Sequence, residues 1–275
     1  MTVAISRERP LLLLGCGNMG AAMLKGWLAG GIDVAAIQVV EPAGPERAVE
    51  AGLNPAQISV ELPADCRPAI IVLAIKPQMF DAVLPALAPA LAGGECLVLS
   101  VAAGRTLGGM RALLADAGGI VRAMPNTPAA IGQAMTVLCA EAAVDAPSRA
   151  LCGDLLGAIG QVRWVEDEDL MDAVTAVSGS GPAYVFYLIE CLAAAGEVQG
   201  LDPDLATALA IETVAGAATL ARHSKIGARD LRRQVTSPGG TTQAGLEVLM
   251  GEGSLANLMR HTVAAAAKRA REMRD

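Results

Sequence analysis

The sequence predicts an α/β chain, with a doubly wound parallel sheet in the N-terminal part and an all-α part after it. Three observations predict this. Leu11–Leu14 reads as a buried strand that runs directly into the turn Gly15-Cys16-Gly17-Asn18-Met19-Gly20 and then into an amphipathic stretch with Ala21, Ala22, Leu24, Trp27 and Leu28. Up to about Trp164, short β-rich runs alternate with helical ones, the pattern of strands wound with helices. From Asp167 onward the β-branched runs vanish and alanine- and leucine-rich helical spacing takes over. The 275 residues are enough for two domains of ordinary size, expected at 1–165 and 166–275.

In chain order, strands are expected at 11–15, 37–41, 70–75, 96–100, 119–122, 135–139 and 162–165, with helices in the gaps. The second half is expected to be all helix, most clearly at 205–223 and 254–273. Its breaks are legible. Gly200 and Asp202-Pro203 read as stop, cap and first-position proline; Gly227, Ser237-Pro238-Gly239-Gly240, and Gly251 and Gly253 before Ser254 follow. Ser180 and Ser237 are expected as N-caps, with Pro182 and Pro238 early in the helices they open.

Composition excludes several classes of function. Hydrophobic residues make up 53 % and charged residues 18 %, so part of the apolar surface is expected to be hidden between copies of the chain. No stretch reaches the roughly 18 uncharged apolar residues of a membrane helix, and a soluble chain with no membrane partner is expected. Twenty-one Lys and Arg against 28 Asp and Glu give a net charge of −7 without a basic run, which argues against a nucleic-acid partner. The first ten residues lack the apolar core of a secretion signal. Cys16, Cys66, Cys96, Cys139, Cys152 and Cys191 form no Cys-x-x-Cys pair, and only His223 and His261 could assist them. They read as reduced thiols of a cytoplasmic protein with no metal site.

The glycine turn, placed between strand and helix, suits a dinucleotide pyrophosphate. Gly15 permits the turn, Gly17 lets backbone approach phosphates, Gly20 allows close packing, and the helix start offers free N–H groups. This is the Rossmann arrangement. Glu41 ends the second strand, where a carboxylate accepts hydrogen bonds from ribose hydroxyls and repels a 2′-phosphate. Arg47 could instead meet a 2′-phosphate, so the two residues pull in opposite directions. Alternatively, both are simply solvated. Lys76 closes strand 70–75 at the ligand edge, either to reach cofactor oxygens or to snorkel into water. Ser100-Val101-Ala102-Ala103-Gly104 leaves room there for a nicotinamide ring, and Asn126 and Thr127 offer an amide and a hydroxyl to a carboxamide or substrate.

In the second half, Ser178-Gly179-Ser180-Gly181-Pro182 breaks one helix and starts another, and the device recurs at Ser237-Pro238-Gly239-Gly240-Thr241-Thr242. Two glycines in a helix start cost about 1 kcal/mol each, so something other than folding favours them, and a small carboxylate would benefit from the bare amides. Missing residues narrow the chemistry. No lysine lies between Lys76 and Lys225, and no histidine precedes His223. A hydroxy-acid dehydrogenase needs such a base, whereas the carbon of a protonated imine accepts hydride once geometry is fixed.

Together the blocks GCGNMG from Gly15, AIKPQ from Ala74, SVAAG from Ser100, RAMPNTPA from Arg122, SGSGPAY from Ser178 and VTSPGGTT from Val235 resemble the pyrroline-5-carboxylate reductase family along nearly the whole chain. The resemblance implies reduction of 1-pyrroline-5-carboxylate to L-proline by NADPH or NADH, the last step of proline biosynthesis. It also implies a Rossmann domain followed by an all-α C-terminal dimerisation domain, with dimers often assembled into rings. Carried onto this chain, it implies cofactor contacts at Gly15, Gly17, Asn18, Met19, Gly20, Ala74 and Lys76. The substrate carboxylate falls to Ser237, Gly240 and Thr241, facing the partner's cofactor, with the Thr242 hydroxyl as proton donor. The alternative for Thr241 and Thr242 is plain helix capping. The family often takes NADPH, yet Glu41-Pro42 stands where a 2′-phosphate would sit, so the preference stays open. One rival reading is a β-hydroxyacid-type dehydrogenase, but the helix after Gly181 has no lysine for it. The other is a non-catalytic dinucleotide-sensing module, against which the intact 237–242 stretch stands.

Overall fold

A computed structural model describes residues 4–274. Among the described residues eight strands form one sheet: β1 (Leu11–Leu14), β2 (Ile37–Val40), β3 (Ile58–Ser59), β4 (Ile70–Leu73), β5 (Leu97–Ser100), β6 (Gly119–Met124), β7 (Ala134–Ala140) and β8 (Gly160–Trp164). Their order is β3-β2-β1-β4-β5-β6-β7-β8, and the first six follow the doubly wound order of dinucleotide-binding sheets. The four leucines of β1 are all buried because side chains alternate across a strand and both faces are covered. Leu11 and Leu13 join one apolar cluster, Leu12 and Leu14 the other. Ile70 and Val72 of β4 and Leu97 and Leu99 of β5 join the first cluster, with Ile71, Leu73 and Val98 in the second.

Two expectations need correction. The sheet is not wholly parallel: β7 runs antiparallel to β6, with Met124 opposite Val137, while every other pairing is parallel. The link 125–133 holds only the 3₁₀ turn Thr127–Ile131, too little chain for the crossover that a parallel return requires. The third strand from 70 also stops at Leu73 rather than 75, because Ala74 leaves the sheet to wall the glycine turn. β3 was not foreseen; a two-residue strand carries no readable alternation.

The helices are α1 (Asn18–Ala29), α2 (Glu46–Glu50), α3 (Phe80–Val83), α4 (Ala88–Leu91), α5 (Leu107–Leu113), α6 (Ala146–Gly157), α7 (Met171–Val174), α8 (Gly181–Val198), α9 (Pro203–His223), α10 (Ala228–Gln234), α11 (Thr241–Met250) and α12 (Leu255–Glu272). Met23, Leu24 and Trp27 of α1 and Cys152, Leu155 and Leu156 of α6 fill the first cluster; Phe80, Leu91 and Met110, from α3 to α5, fill the second. Trp27 also donates its indole N–H to the Leu155 carbonyl at 2.8 Å, tying α1 to α6.

The chain divides into two compact units, 1–179 with 266–275, and 180–265. The last strand ends at Trp164, near the expected boundary at 165, but the following segment is pinned to the sheet unit. Buried Arg122 of β6 donates to Glu168 at 2.8 Å, and Glu168 also accepts the Leu107 N–H at 2.9 Å. Arg274 is 2.8 Å from both Asp169 Oδ1 and Asp172 Oδ2, and Asp172 is buried. α7 then runs into a π-helical turn, Thr175–Gly179.

The helical unit buries little of its apolar surface within one chain. Phe186, Tyr187, Leu192 and Val198 of α8, Leu205 and Leu209 of α9, and Val248 of α11 are all exposed. Among the described residues one helix, α9, is long and apolar enough by length and composition to cross a membrane, with a mean hydropathy of 1.3. The expectation that no stretch reaches about 18 uncharged apolar residues counted only uncharged runs; α9 carries Asp204 and Glu212 within it.

Candidate active site

The glycine turn has the shape its residues imply. Gly15 sits at φ +91°, and a Cβ there would lie 2.7 Å from the Ala74 carbonyl oxygen; one on Gly20 would collide with the Gly15 carbonyl. Gly17 is the N-cap of α1, with open space where a side chain would project and no side-chain cap. Ala21 N–H donates back to Gly17 O at 2.9 Å, so the first-turn amides of Asn18, Met19 and Gly20 precede the helix's own ladder. No acidic residue lies in that first turn to compete with an anion. This cradle fits a dinucleotide pyrophosphate.

Glu41 follows β2 and is engaged by backbone on both sides. Its Oε2 accepts the Cys16 N–H at 2.6 Å and its Oε1 the Ala43 N–H at 3.0 Å. Beside it, Arg47 donates to Asn18 Oδ1 at 2.6 Å, so the cation that could meet a 2′-phosphate touches the helix start. Burial, and next the Glu41 carboxylate, push the Cys16 thiol up to about 11, against a smaller opposing effect of Arg47. Cys16 is a neutral filler of the turn.

Ala74 and Lys76 follow β4 at the same edge; Lys76 is exposed and precedes the 3₁₀ turn Pro77–Met79, with Pro77 at its start as expected. Asn126 is committed differently from the cofactor contact read from sequence. Its Oδ1 accepts the Met135 N–H at 3.0 Å, and its Nδ2 donates to the Ser178 carbonyl and hydroxyl at 3.2 and 3.3 Å. A Cβ on Gly179 would collide with Met124. These contacts brace the loop after β6 against the π turn.

In the helical unit, α11 starts later than expected. Ser237 is not its cap and Pro238 is not in its first turn: the N-cap is Gly240, with no side-chain cap, and the helix begins at Thr241. Gly240 N–H donates to Ser237 O at 3.1 Å, closing a turn with Pro238 second and Gly239, at φ +69°, third, the residue order of a type II turn. Nor is Gly239 bare, because its N–H donates to Gln243 Oε1 at 2.8 Å. The open amides are therefore those of Thr241, Thr242 and Gln243, since Ala244 N–H already donates to Gly240 O. Among the described residues the hydroxyls of Ser237, Thr241 and Thr242 make no hydrogen bond within the chain, and all three residues are exposed. Ser180 likewise makes no cap bond, because the π turn carries the chain into α8 without the extended residue that a cap needs. Asp202, in contrast, caps α9 through the Asp204 and Leu205 amides, with Pro203 first in the helix.

Sequence reasoning missed Gln243, Ser178, Glu168 and Arg274. Gln243 had a signal: it lies three residues after the N-cap, the capping-box spacing. The others act across long sequence separations that no local pattern marks.

The doubly wound order and the amide cradle define a dinucleotide-binding protein of the Rossmann class. The chain is 40 % identical to the pyrroline-5-carboxylate reductase of Pseudomonas aeruginosa over 268 residues, 96 % of this chain and 97 % of that one. It belongs to the pyrroline-5-carboxylate reductase family. The Pisum sativum enzyme of that name is 39 % identical over 272 residues, covering 98 % and 97 %. Residues 168–273 match the family described as pyrroline-5-carboxylate reductase dimerisation, and 11–104 that described as NADP oxidoreductase, coenzyme F420-dependent. A pyrroline-5-carboxylate reductase structure from Coxiella burnetii superposes with a TM-score of 0.89 at 34 % identity, covering 98 % and 99 %. The Plasmodium falciparum pyrroline carboxylate reductase with NADP bound gives 0.78 at 27 %, covering 97 % and 98 %.

Proposed function

We propose that the chain reduces 1-pyrroline-5-carboxylate to L-proline with NADPH or NADH, the closing step of proline biosynthesis, in the cytoplasm. The observation that carries this reading is the unpartnered start of α11: three open amides and the free hydroxyls of Ser237, Thr241 and Thr242 in a stretch with no lysine or histidine nearby in sequence to act as base.

Dinucleotide binding falls to 1–165, at Gly15, Gly17, Asn18, Met19, Gly20, Ala74 and Lys76, and the amides at the start of α1 hold the pyrophosphate. Glu41 and Arg47 flank the ribose end. Asn126 shapes the nicotinamide end through its brace rather than by a direct contact. When bound, the reduced dinucleotide supplies the hydride that adds to the C=N carbon. The helical part, 166–275, binds substrate. Ser237 and Thr241 take the carboxylate at the positive end of α11, orienting the flat ring, while Gly240, its own N–H held by Ser237 O, caps the helix with no side chain between them. The exposed Thr242 hydroxyl relays a proton to the ring nitrogen as the C=N bond becomes a single bond, taking a replacement proton from solvent as it gives up its own. The exposed apolar faces of α8 and α9 support pairing of two chains, with each α11 start facing the partner's dinucleotide and dimers joining into rings.

Purified protein is expected to oxidise NADPH or NADH only when pyrroline-5-carboxylate is supplied, with proline formed in equal amount. Dinucleotide oxidation that does not yield proline would reject the reading.

A further inference from the structure

The turn before α11 is held by a side chain that the proposed chemistry does not use. Gly239 adopts φ +69°, a region that glycine enters freely and other residues rarely do. A turn with two adjacent glycines has many alternatives, and something must select this one. Gln243 does so by accepting the Gly239 N–H at 2.8 Å, while its own Nε2 donates to Glu247 Oε1 at 3.0 Å. A carboxylate only accepts, so Glu247 sets which end of the Gln243 amide faces Gly239. Nitrogen faces Glu247 and oxygen faces the turn.

Gln243 occupies the third helical position and reaches back over the helix start, as the acidic or amide residue of a capping box does, but to the residue before the cap, Gly239, rather than to the cap itself. With the Gly239 N–H held by Gln243 and the Gly240 N–H held by Ser237 O, the Thr241 and Thr242 amides stay open to an anion. Gln243 and Glu247 also border a cavity of about 360 Å³ between α10 and α11, shared with Arg232 and Thr236. Shortening Gln243 therefore enlarges a space that already exists and opens no hole in a packed interior.

We propose that Gln243, oriented by Glu247, is a positioning residue that holds the 237–240 turn in the shape needed to receive the substrate carboxylate. The inference rests on the reading of this site given above. Preorganised donors bind an anion better than donors that must first be ordered, so loss of the bracket weakens substrate binding and leaves the dinucleotide site untouched.

The test uses the purified full chain, with steady-state rates, dinucleotide KM and thermal melting measured together. Gln243→Ala is expected to raise KM for pyrroline-5-carboxylate about fivefold to tenfold, with dinucleotide KM and Tm unchanged. Gln243→Glu should raise it further, because the new charge faces both Glu247 and the bound carboxylate. The exchange pair Gln243→Glu with Glu247→Gln re-forms both hydrogen bonds, removes the repulsion between the two side chains and should recover that part of the added loss. An unchanged substrate KM in Gln243→Ala, or a loss that follows Tm and both KM values together, overturns the positioning role. Thr241→Val in the same assay separates the two ideas: a raised KM there beside an unaffected Gln243→Ala retains the site and rejects Gln243, whereas no change in either rejects the site as well.

Discussion

The Glu41 carboxylate accepts the Cys16 N–H at 2.6 Å, so the end of β2 is bonded to the glycine turn that follows β1. The acid that would read a ribose is thus held rigidly beside the pyrophosphate cradle, with Arg47 resting on Asn18 close by. Replacing Glu41 with Ser removes the negative charge that a 2′-phosphate would meet. The ratio of kcat/KM for NADPH to that for NADH is expected to rise about tenfold, worth about 1.4 kcal/mol. Paired kinetics with the two dinucleotides decide it, and an unchanged ratio rejects the role given to Glu41.

Thr242 offers a hydroxyl without an internal partner at the second position of α11. Thr242→Val keeps the shape and removes the proton. Turnover should fall by roughly 10²-fold, the lower end of what a positioned proton donor contributes, while dinucleotide affinity stays the same. Full turnover in this variant would exclude Thr242 as donor.

Asp172 is buried, and its Oδ2 lies 2.8 Å from Arg274 Nη2 without receiving a well-shaped hydrogen bond from any group. Arg274 is thus its main compensation. Arg274→Ala leaves a buried carboxylate unpaired and should cost roughly 3 kcal/mol. Arg274→Met combined with Asp172→Leu should recover much of that loss. Chemical denaturation of the parent and both variants measures it; a single variant as stable as the parent would show that the pair contributes nothing.

Burial pushes the Cys96 and Cys152 thiols up to about 12, from an ordinary value of 9.0. The folded chain therefore keeps protons that the unfolded chain releases. The stabilisation is complete below about pH 9 and is lost as pH rises towards 12. Cys152→Ala should flatten the fall of Tm across that window. An equally steep fall in parent and variant would assign alkaline unfolding to other groups.

Much of the fold was legible because local chemistry and global position agreed. Leu11–Leu14 reads as a two-sided buried strand and is one; Asp202-Pro203 reads as cap and first helical residue and is both. The dinucleotide cradle was legible for the same reason, since its glycines act within six residues of each other. What escaped depended on chain length or distance. The direction of β7 is set by the shortness of 125–133, and the true start of α11 by a turn that Gln243 holds from within the helix. Asn126 looked like a ligand contact because its amide lies at the ligand edge. Its partners, Met135 and Ser178, come from a neighbouring strand and a π turn 52 residues on.

Within 180–265, buried side chains are few and small, Ala193, Ala206 and Ala210 among them, while Phe186 and Val198 face outward. Folding of this part is therefore coupled to association by mass action: dilution should lower its melting temperature, and a crowded, newly made pool of chains should gain stability simply by finding one another.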